Sequence, residues 1–361
     1  MGLKVIIPTA GKGTRLRPHT NTTPKVLLHV AGKPVLGHIL ESLFQCAKKN
    51  ADFIIEELII VYGYLGDRVI EYVKSEFEIR SLEFGIHKIS FIKQEVEIGL
   101  GHAVYVCRDR FENEPVLILL GDTLFEVDYS EMIRSTGKDA YGTVGVRVLE
   151  DPRRFGIVET QNGYITKVVE KPKEKKRSLA LIGLYYFEHS RPLFFVLDEL
   201  VQNHESRIPP LSGAGRVTNH QSPMEWWEGE VQLTDGLQML ADKGERLRPF
   251  EIEGWFDCGN PEAFLSTNRH LLEIGVRNSK FEIHSIHRFP NSEIIPPVFI
   301  HPEVRIEGSK VGPYVSISRG VTLKDAVLSD VIVNEHAVLE GVHLKERIVG
   351  ENEVIKSSRK Q

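Results

Sequence analysis

Short aliphatic runs alternate with amphipathic stretches through the first part of the chain. Leu3 to Pro8, Glu57 to Tyr62, Ile89 to Lys93 and Val116 to Leu120 are short, apolar and rich in β-branched residues, which predicts strands. Between them the apolar positions fall at helical spacing. In Val35 to Lys48, residues Val35, Leu36, Ile39, Leu40, Leu43 and Phe44 share one face, and Gly66 to Ser75 and His102 to Arg110 also read as helices. Alternating strands and helices predict an α/β, Rossmann-like sheet, mixed but mostly parallel, with helices on both faces. Ligands on such sheets sit beyond the carboxyl ends of the strands. The loops that follow strands are therefore where chemistry is expected.

From about Thr143 the spacing tightens. Thr143 to Leu149, Gly156 to Glu159, Ile165 to Glu170 and Leu181 to Phe187 predict further strands, with a tight turn at Gln161-Asn162-Gly163. Pro192 to Asn203, Gln232 to Lys243 and Pro261 to Leu272 predict helices, and Arg246 to Trp255 one strand between the last two. Ile208 to Ser222, rich in Pro, Gly and Ser, reads as a surface loop. Past Ile286 the pattern changes again. Aliphatics recur at sixes: Val298 and Val304; Val311, Ile317 and Leu323; Val315, Val321, Val327 and Val333; Val342, Ile348 and Val354. That period predicts a short, degenerate parallel β-helix of about four coils. The expected organisation is a domain over residues 1–285 and a β-helix over 286–361. So few coils call for a cap or partner at their ends, and a second copy of the chain is the expected one, giving a homo-oligomer.

The whole chain has 361 residues, 41% of them hydrophobic and 26% charged, ordinary for a globular protein with a sizeable core. A net charge of −5 argues against nucleic acid as a partner. Cys46, Cys107 and Cys258 are widely spaced and form neither a CxxC pair nor a zinc pattern, so they read as buried or free thiols. The N-terminal apolar run is too short for a signal-peptide core, and no stretch of about 18 apolar residues occurs. The expectation is a cytoplasmic protein with no membrane partner.

The segment directly after the first strand, Pro8-Thr-Ala-Gly-Lys-Gly-Thr-Arg-Leu-Arg-Pro18, is the richest in candidate chemistry. Gly11 and Gly13 let the backbone turn sharply and bring its N–H groups close to an anion. No Gly-Lys-Ser/Thr closes the loop, and Leu16 occupies the place of a third fingerprint glycine. It is therefore neither a Walker loop nor a dinucleotide fingerprint. Arg15 and Lys25 add two fixed cations at the same strand end, which points to a polyphosphate. Asp122 follows an apolar strand in Leu119-Leu120-Gly121-Asp122, where a carboxylate is a hard oxygen ligand suited to Mg²⁺. Thr234-Asp235 reads as a helix N-cap, and Lys173 to Arg177 as a solvated loop.

Together the runs Gly11 to Pro18, Pro24-Lys25 and Gly32-Lys33-Pro34 resemble the signature of the sugar-1-phosphate nucleotidylyltransferase family. The likeness is greatest to long-type glucose-1-phosphate thymidylyltransferases, in which a left-handed β-helix follows the catalytic domain. It covers nearly the whole chain. The resemblance implies a nucleotide cradle of Ala10, Gly11, Gly13, Thr14 and Arg15, with Lys25 on the phosphates. Gln94 and Gly99 would read the base. An amide can present either a donor or an acceptor, so the base stays open. Asp122 and Asp257, the latter in Gly254-Trp-Phe-Asp-Cys-Gly259, would hold the metal. Gly156, Glu170, Lys171, Gly183 and Trp255 would bind the sugar phosphate. Arg15, Lys25 and Lys171 would supply catalytic charge.

The activity implied is transfer of a nucleoside monophosphate from a nucleoside triphosphate to a sugar 1-phosphate, with Mg²⁺ as cofactor and pyrophosphate released; dTTP and glucose 1-phosphate are favoured. Mannose-1-phosphate guanylyltransferase and UTP–glucose-1-phosphate uridylyltransferase share most of these motifs. A non-catalytic regulatory relative is the rival from another class, opposed by the retention of Arg15, Lys25, Asp122, Lys171 and Asp257. Glu228 departs from the pattern, because the family often has an arginine there for the sugar phosphate. Val26 and His29 stand where prolines are usual.

Overall fold

The computed structural model describes residues 2–78, 85–206, 229–277 and 289–357. The loop expected at 208–222, the expected boundary at 285/286 and Glu228 lie outside them. Thirteen strands precede the β-helix among the described residues. They are β1 (Leu3–Pro8), β2 (His29–Val30), β3 (Lys33–Pro34), β4 (Ile55–Tyr62), β5 (Ile89–Lys93), β6 (Val116–Leu119) and β7 (Thr123–Glu126), then β8 (Gly142–Leu149), β9 (Ile157–Gln161), β10 (Tyr164–Val169), β11 (Ser178–Phe187), β12 (Leu247–Glu251) and β13 (Gly254–Asp257).

Nine of them form one mixed sheet in the order β10-β9-β11-β6-β1-β4-β5, with β8 along β11 and β12 outside β8. The block β6-β1-β4-β5 is parallel. Next to it β11 runs antiparallel to β6, β8 and β9. The chain proceeds outward from β1 to β4 and β5, then returns to the other side of β1 as β6. That reversal opens a crevice at the carboxyl ends of β1 and β6.

Both faces of the sheet are covered, because its strands alternate into two cores. Val5 and Ile7 of β1, Leu58 and Ile60 of β4, and Leu117 and Leu119 of β6 pack with the helices Val35–Lys49 and Pro261–Arg277. Ile6, Ile59, Val61, Val116 and Ile118 face the opposite core with the helices Leu100–Tyr105, Ser190–Glu205 and Leu233–Asp242.

Three expected elements differ. Arg246 to Trp255 is two strands: β12 joins the main sheet beside β8, and after Ile252 and Glu253 the chain pairs with β7 as β13. The helix expected at His102 to Arg110 covers Leu100–Tyr105, followed by a tighter turn at Arg108–Arg110. The Thr234 side chain caps nothing, since the N-cap of Leu233–Asp242 is Gln232 and no side chain closes that end.

The C-terminal strands stack in parallel, as the six-residue period predicts. Val298 pairs with Val315, and later Thr322 pairs with Val338, so a coil takes 17 residues and then 16 rather than 18. This shortening is the physical origin of the slipping phase. The shorter coils turn a corner within one strand: Val327–Val333 and His343–Val349 bend where Asp330 and Glu346 take φ of 56° and 51°. Val311, Val315, Ile317, Val321 and Leu323 fill the interior. Val327 and Val354 do not; they are 37% and 60% exposed.

The β-helix is joined to the sheet domain by a shared core and by buried polar links. Ile332 and Ile348 point out of the coil into the core that holds Phe264 and Leu265. Asn268, fully buried on the helix Pro261–Arg277, accepts from the Ala31 N–H at 2.9 Å and the Ser316 hydroxyl at 2.6 Å, and donates to the Tyr314 carbonyl at 3.3 Å. Arg269 pairs with the corner residue Asp330. Glu351 accepts from the Thr23 hydroxyl at 2.8 Å and from Arg68 at 3.1 Å.

Two predictions follow from this junction. Asn268→Ala strands two buried polar groups and a half-buried carbonyl and should cost about 2–4 kcal/mol of stability, read as a lower urea midpoint. His29 lies 3.1 Å from the Ser318 hydroxyl of the β-helix. Burial, with His38 and His301 outweighing Glu351, pushes its imidazole down to about 4. The unfolded chain takes up that proton near pH 6.5 and the folded chain only near pH 4. Stability should therefore fall as pH drops through this window, by on the order of 3 kcal/mol. His29→Gln should flatten that limb in urea melts at successive pH values.

Candidate active site

Two cavities open at the crevice. The larger, ≈ 420 Å³, is lined by the loop after β1 (Ala10 to Gly13), by Lys25, by Gln94 and Gly99 after β5, and by Asp122 after β6. The smaller, ≈ 180 Å³, is lined by Gly156, Glu170, Gly183, Trp255 and Asp257. Leu100, Leu120 and Asp122 line both. Loops from distant parts of the sequence thus meet at one carboxylate.

The geometry of the first cavity is set by backbone turns. Gly13 takes φ 62°, and a Cβ there would lie 2.9 Å from both Lys25 Cβ and Thr20 Cγ2. The Thr20 hydroxyl donates to the Gly13 carbonyl at 2.8 Å, holding the loop over Lys25. The β1 and β6 ends are pinned together by the Gly121 N–H donating to the Pro8 carbonyl at 3.2 Å. Lys25 reaches across this gap to hydrogen-bond Asp122.

Charges decide how the pair behaves. Burial pulls the Lys25 pKa down, but Asp122, then Asp257 and Cys258, hold its ammonium above the usual range. Burial opposes ionisation of Asp122 as well, and Lys25 overrides it, keeping the carboxyl below its ordinary value. Asp257 differs: burial and the facing Asp122 push it up, more than Lys25 and Arg154 pull it down. β7 and β13 create this juxtaposition, because Asp257 pairs with Thr123 and the Cys258 N–H donates to the Asp122 carbonyl at 3.0 Å.

The second cavity is equally tight. A Cβ on Gly156 would lie 2.7 Å from Thr234 Cγ2 and 3.2 Å from Glu170 Oε2. Gly183, at φ 89°, interrupts the alternation of β11 and approaches Leu120. Trp255 packs edge-on to Phe155 at 5.3 Å, and its indole nitrogen is buried without a partner, as is the Thr234 hydroxyl. Glu170 and Asp235 face each other closely enough that burial and Glu170 together raise the Asp235 carboxyl.

Not every residue singled out in the sequence lines these cavities. Thr14 and Arg15 lie on a short turn, Thr14–Leu16, with exposed side chains, and Lys171 is exposed with its ammonium 3.3 Å from Glu170. Lys12 and Arg154 take lining positions instead. Lys12 is 3.6 Å from Glu97 at the first cavity, and Arg154 is 3.8 Å from Asp257 at the second. Both flank the glycines Gly11, Gly13 and Gly156, and that adjacency was the available signal. Glu97 and Glu230 also line the first cavity, and nothing in their local sequence marks them.

The sequence profile of the family described as nucleotidyl transferase matches residues 4–210, more than half of the chain. The chain belongs to the nucleotidyl transferase family. Its similarity runs to the sugar-1-phosphate enzymes within it. A glucose-1-phosphate thymidylyltransferase of Streptomyces griseus is 29% identical over 94% of this chain and 89% of its own length. A bifunctional GlmU protein of Methanococcus maripaludis is 31% identical over 75% of the chain, but the match spans only 54% of that longer protein. Among solved structures, a putative glucose-1-phosphate thymidylyltransferase from Bacillus anthracis in complex with sucrose aligns with a TM-score of 0.54 and 28% identity. That alignment covers 74% of this chain and 94% of that one.

Gly99 supplies a test of the site's construction. It takes φ 113°, and a Cβ there would lie 2.6 Å from the Val231 carbonyl oxygen and 2.9 Å from the Val231 nitrogen. The backbone of this nucleotidyl transferase must therefore shift in Gly99→Ala, costing about 1–3 kcal/mol. The expected result is a lower urea midpoint.

Proposed function

We propose that the protein transfers a nucleoside monophosphate from a nucleoside triphosphate to a sugar 1-phosphate and releases pyrophosphate. dTTP and glucose 1-phosphate are the favoured pair. The observation that carries this reading is the sharing of Asp122 by the two cavities, with Lys25 bonded to it. A triphosphate on the loop after β1 and a sugar phosphate beside Gly156 and Glu170 would meet there.

The sugar phosphate is itself the nucleophile. With a second pKa of about 6 it is mostly dianionic at neutral pH, so no general base is needed. The obstacle is charge. Two like unit charges at about 4 Å repel by roughly 4 kcal/mol at an effective dielectric near 20, and several such pairs act together. Lys25, Lys12 and Arg154 are the cations placed to cancel it, and Lys171 and Arg15 lie near enough in the chain to join them. Holding both partners in line contributes up to about 7–11 kcal/mol in favourable cases. Such a site works by position and charge.

Asp122 and Asp257 would hold a divalent cation. Among the described residues no three His, Cys, Asp or Glu side chains gather to cage a metal. Two carboxylates, one of them raised by the other, suit Mg²⁺, which keeps waters and takes substrate phosphates as its other ligands. When bound, it would neutralise and orient phosphate oxygens. No helix among the described residues is long and apolar enough to cross a membrane.

A pyrophosphate-release screen of nucleoside triphosphates against sugar 1-phosphates tests the reading. Turnover is expected with at least one pair, fastest with dTTP and glucose 1-phosphate, lost with chelator and restored by Mg²⁺. Asp122→Asn and Lys25→Met should each lower kcat/KM by about 10²–10³. Unchanged turnover in Asp122→Asn would remove the basis of the assignment.

A further inference from the structure

Gln94 and Gly99, on the lining of the first cavity, belong to a fixed chain of hydrogen bonds. Gln94 follows β5 and is buried, its own N–H donating to the Tyr62 carbonyl at 2.8 Å. Its side-chain nitrogen lies 3.1 Å from the Gly99 carbonyl oxygen and 3.1 Å from His102 Nδ1. A carbonyl oxygen can only accept, so the amide atom facing Gly99 must be the nitrogen. With one amide hydrogen on Gly99, the other points at His102 Nδ1, which must then accept. With Nδ1 accepting, the proton of the neutral ring sits on Nε2, and the Val96 backbone also acts on the ring. Both side-chain roles are thereby assigned: His102 is a neutral imidazole protonated on Nε2, and the Gln94 amide cannot turn over. Its Oε1 accepts from no protein group among the described residues and is not sealed from the cavity that Gln94 lines.

We propose that His102 is a positioning residue that locks the Gln94 amide with its oxygen towards the nucleobase. The site then selects bases whose pairing edge carries a ring N–H (uracil, thymine and guanine) over cytosine and adenine. This rests on reading the larger cavity as the nucleotide's. The selection is chemical. A ring N–H donates to Oε1, whereas the ring nitrogen of cytosine or adenine at the same edge is an acceptor and would oppose it. A freely rotating amide would serve both. The lock is what excludes one group: Gly99 sets its sense, and His102 reinforces it only while its Nδ1 can accept.

The surroundings of His102 favour that state. Burial is the largest influence and lowers its pKa. Arg108, on its own segment, and His204, from the helix Ser190–Glu205, act in the same direction, against the Val96 carbonyl and Glu205. Tyr105 stacks at a tilt 6.3 Å away, with its hydroxyl donated to Asp198. Protonation in acid would set an N–H against the amide N–H. The amide would then have to turn, leaving Gly99 facing an oxygen and presenting the wrong group to the base.

Calorimetric titration of UTP, dTTP, GTP, CTP and ATP into the full-length protein tests this without relying on turnover. Wild type should bind the best of the N–H-bearing nucleotides at least tenfold more tightly than CTP or ATP. That preference should shrink at least threefold between pH 7.5 and 5. His102→Phe should lose most of the preference at pH 7.5 and its pH dependence, while the calorimetric Kd for glucose 1-phosphate stays within about twofold. His102→Gln, which restores a side-chain acceptor, should recover part of it. A wild-type preference for CTP or ATP would overturn the inference and leave nucleotidyl transfer standing. So would a full preference in a folded His102→Phe. Should that variant fold poorly, a wild-type preference that does not change with pH would count against the lock. If no nucleotide bound at all, the nucleotide reading and this inference would fall together.

Discussion

The ion pair between Lys25 and Asp122 organises the site. It spans the carboxyl ends of β1 and β6, where the strand order reverses, and each partner favours the charged form of the other against burial. Burying either alone would cost more than its surroundings could offset. The pair therefore fixes the distance between the two loops and keeps a carboxylate ready beside Asp257. It also leaves a poised ammonium at the point where the two cavities join. Charge pre-set in this way needs little rearrangement when anionic partners arrive.

Everything around that pair serves to hold it. The glycine loop after β1 is braced by Thr20, and the segment that follows it by Thr23, whose hydroxyl is held by Glu351 of the last β-helix coil. The β-helix is thus no appendage: Ile332 and Ile348 complete the core beneath the helix Pro261–Arg277, and Asn268 ties that helix to both the Ala31 turn and the coil. A perturbation of the coil has a short physical route to the glycine loop after β1. On the other side, β13 brings Asp257 to Asp122 through its pairing with β7.

Much of the fold was legible because hydrophobic spacing reports directly on burial. The alternation of β1, β4 and β6 between two cores, and the helical face of Val35 to Phe44, are imposed by strand and helix periods. The sixes in the C-terminal part are imposed in the same way by a flat-sided coil. What failed was whatever depends on breaks in period. The coil lost one or two residues at its corners, leaving Val327 and Val354 outside. The stretch from Arg246 divided at Ile252, where the chain leaves β8 of the main sheet and takes up pairing with β7 in a separate two-stranded sheet. Thr234 looked like a cap, and its hydroxyl instead lies buried at the second cavity.

By itself the sequence determined the family and singled out the glycine loop and the acidic residues as candidate chemistry, since glycine turns and charged side chains after strands are legible in the residues themselves. Only the tertiary structure decided which charges share a cavity. It set Lys12 and Arg154 at the linings and left Arg15 and Lys171 exposed, because lining depends on where a side chain is sent by turns hundreds of residues apart. It also decided which way the Gln94 amide faces. An amide offers donor and acceptor alike, and the choice between them belongs to its neighbours, Gly99 and His102, through hydrogen bonds that exist only once the loop has folded.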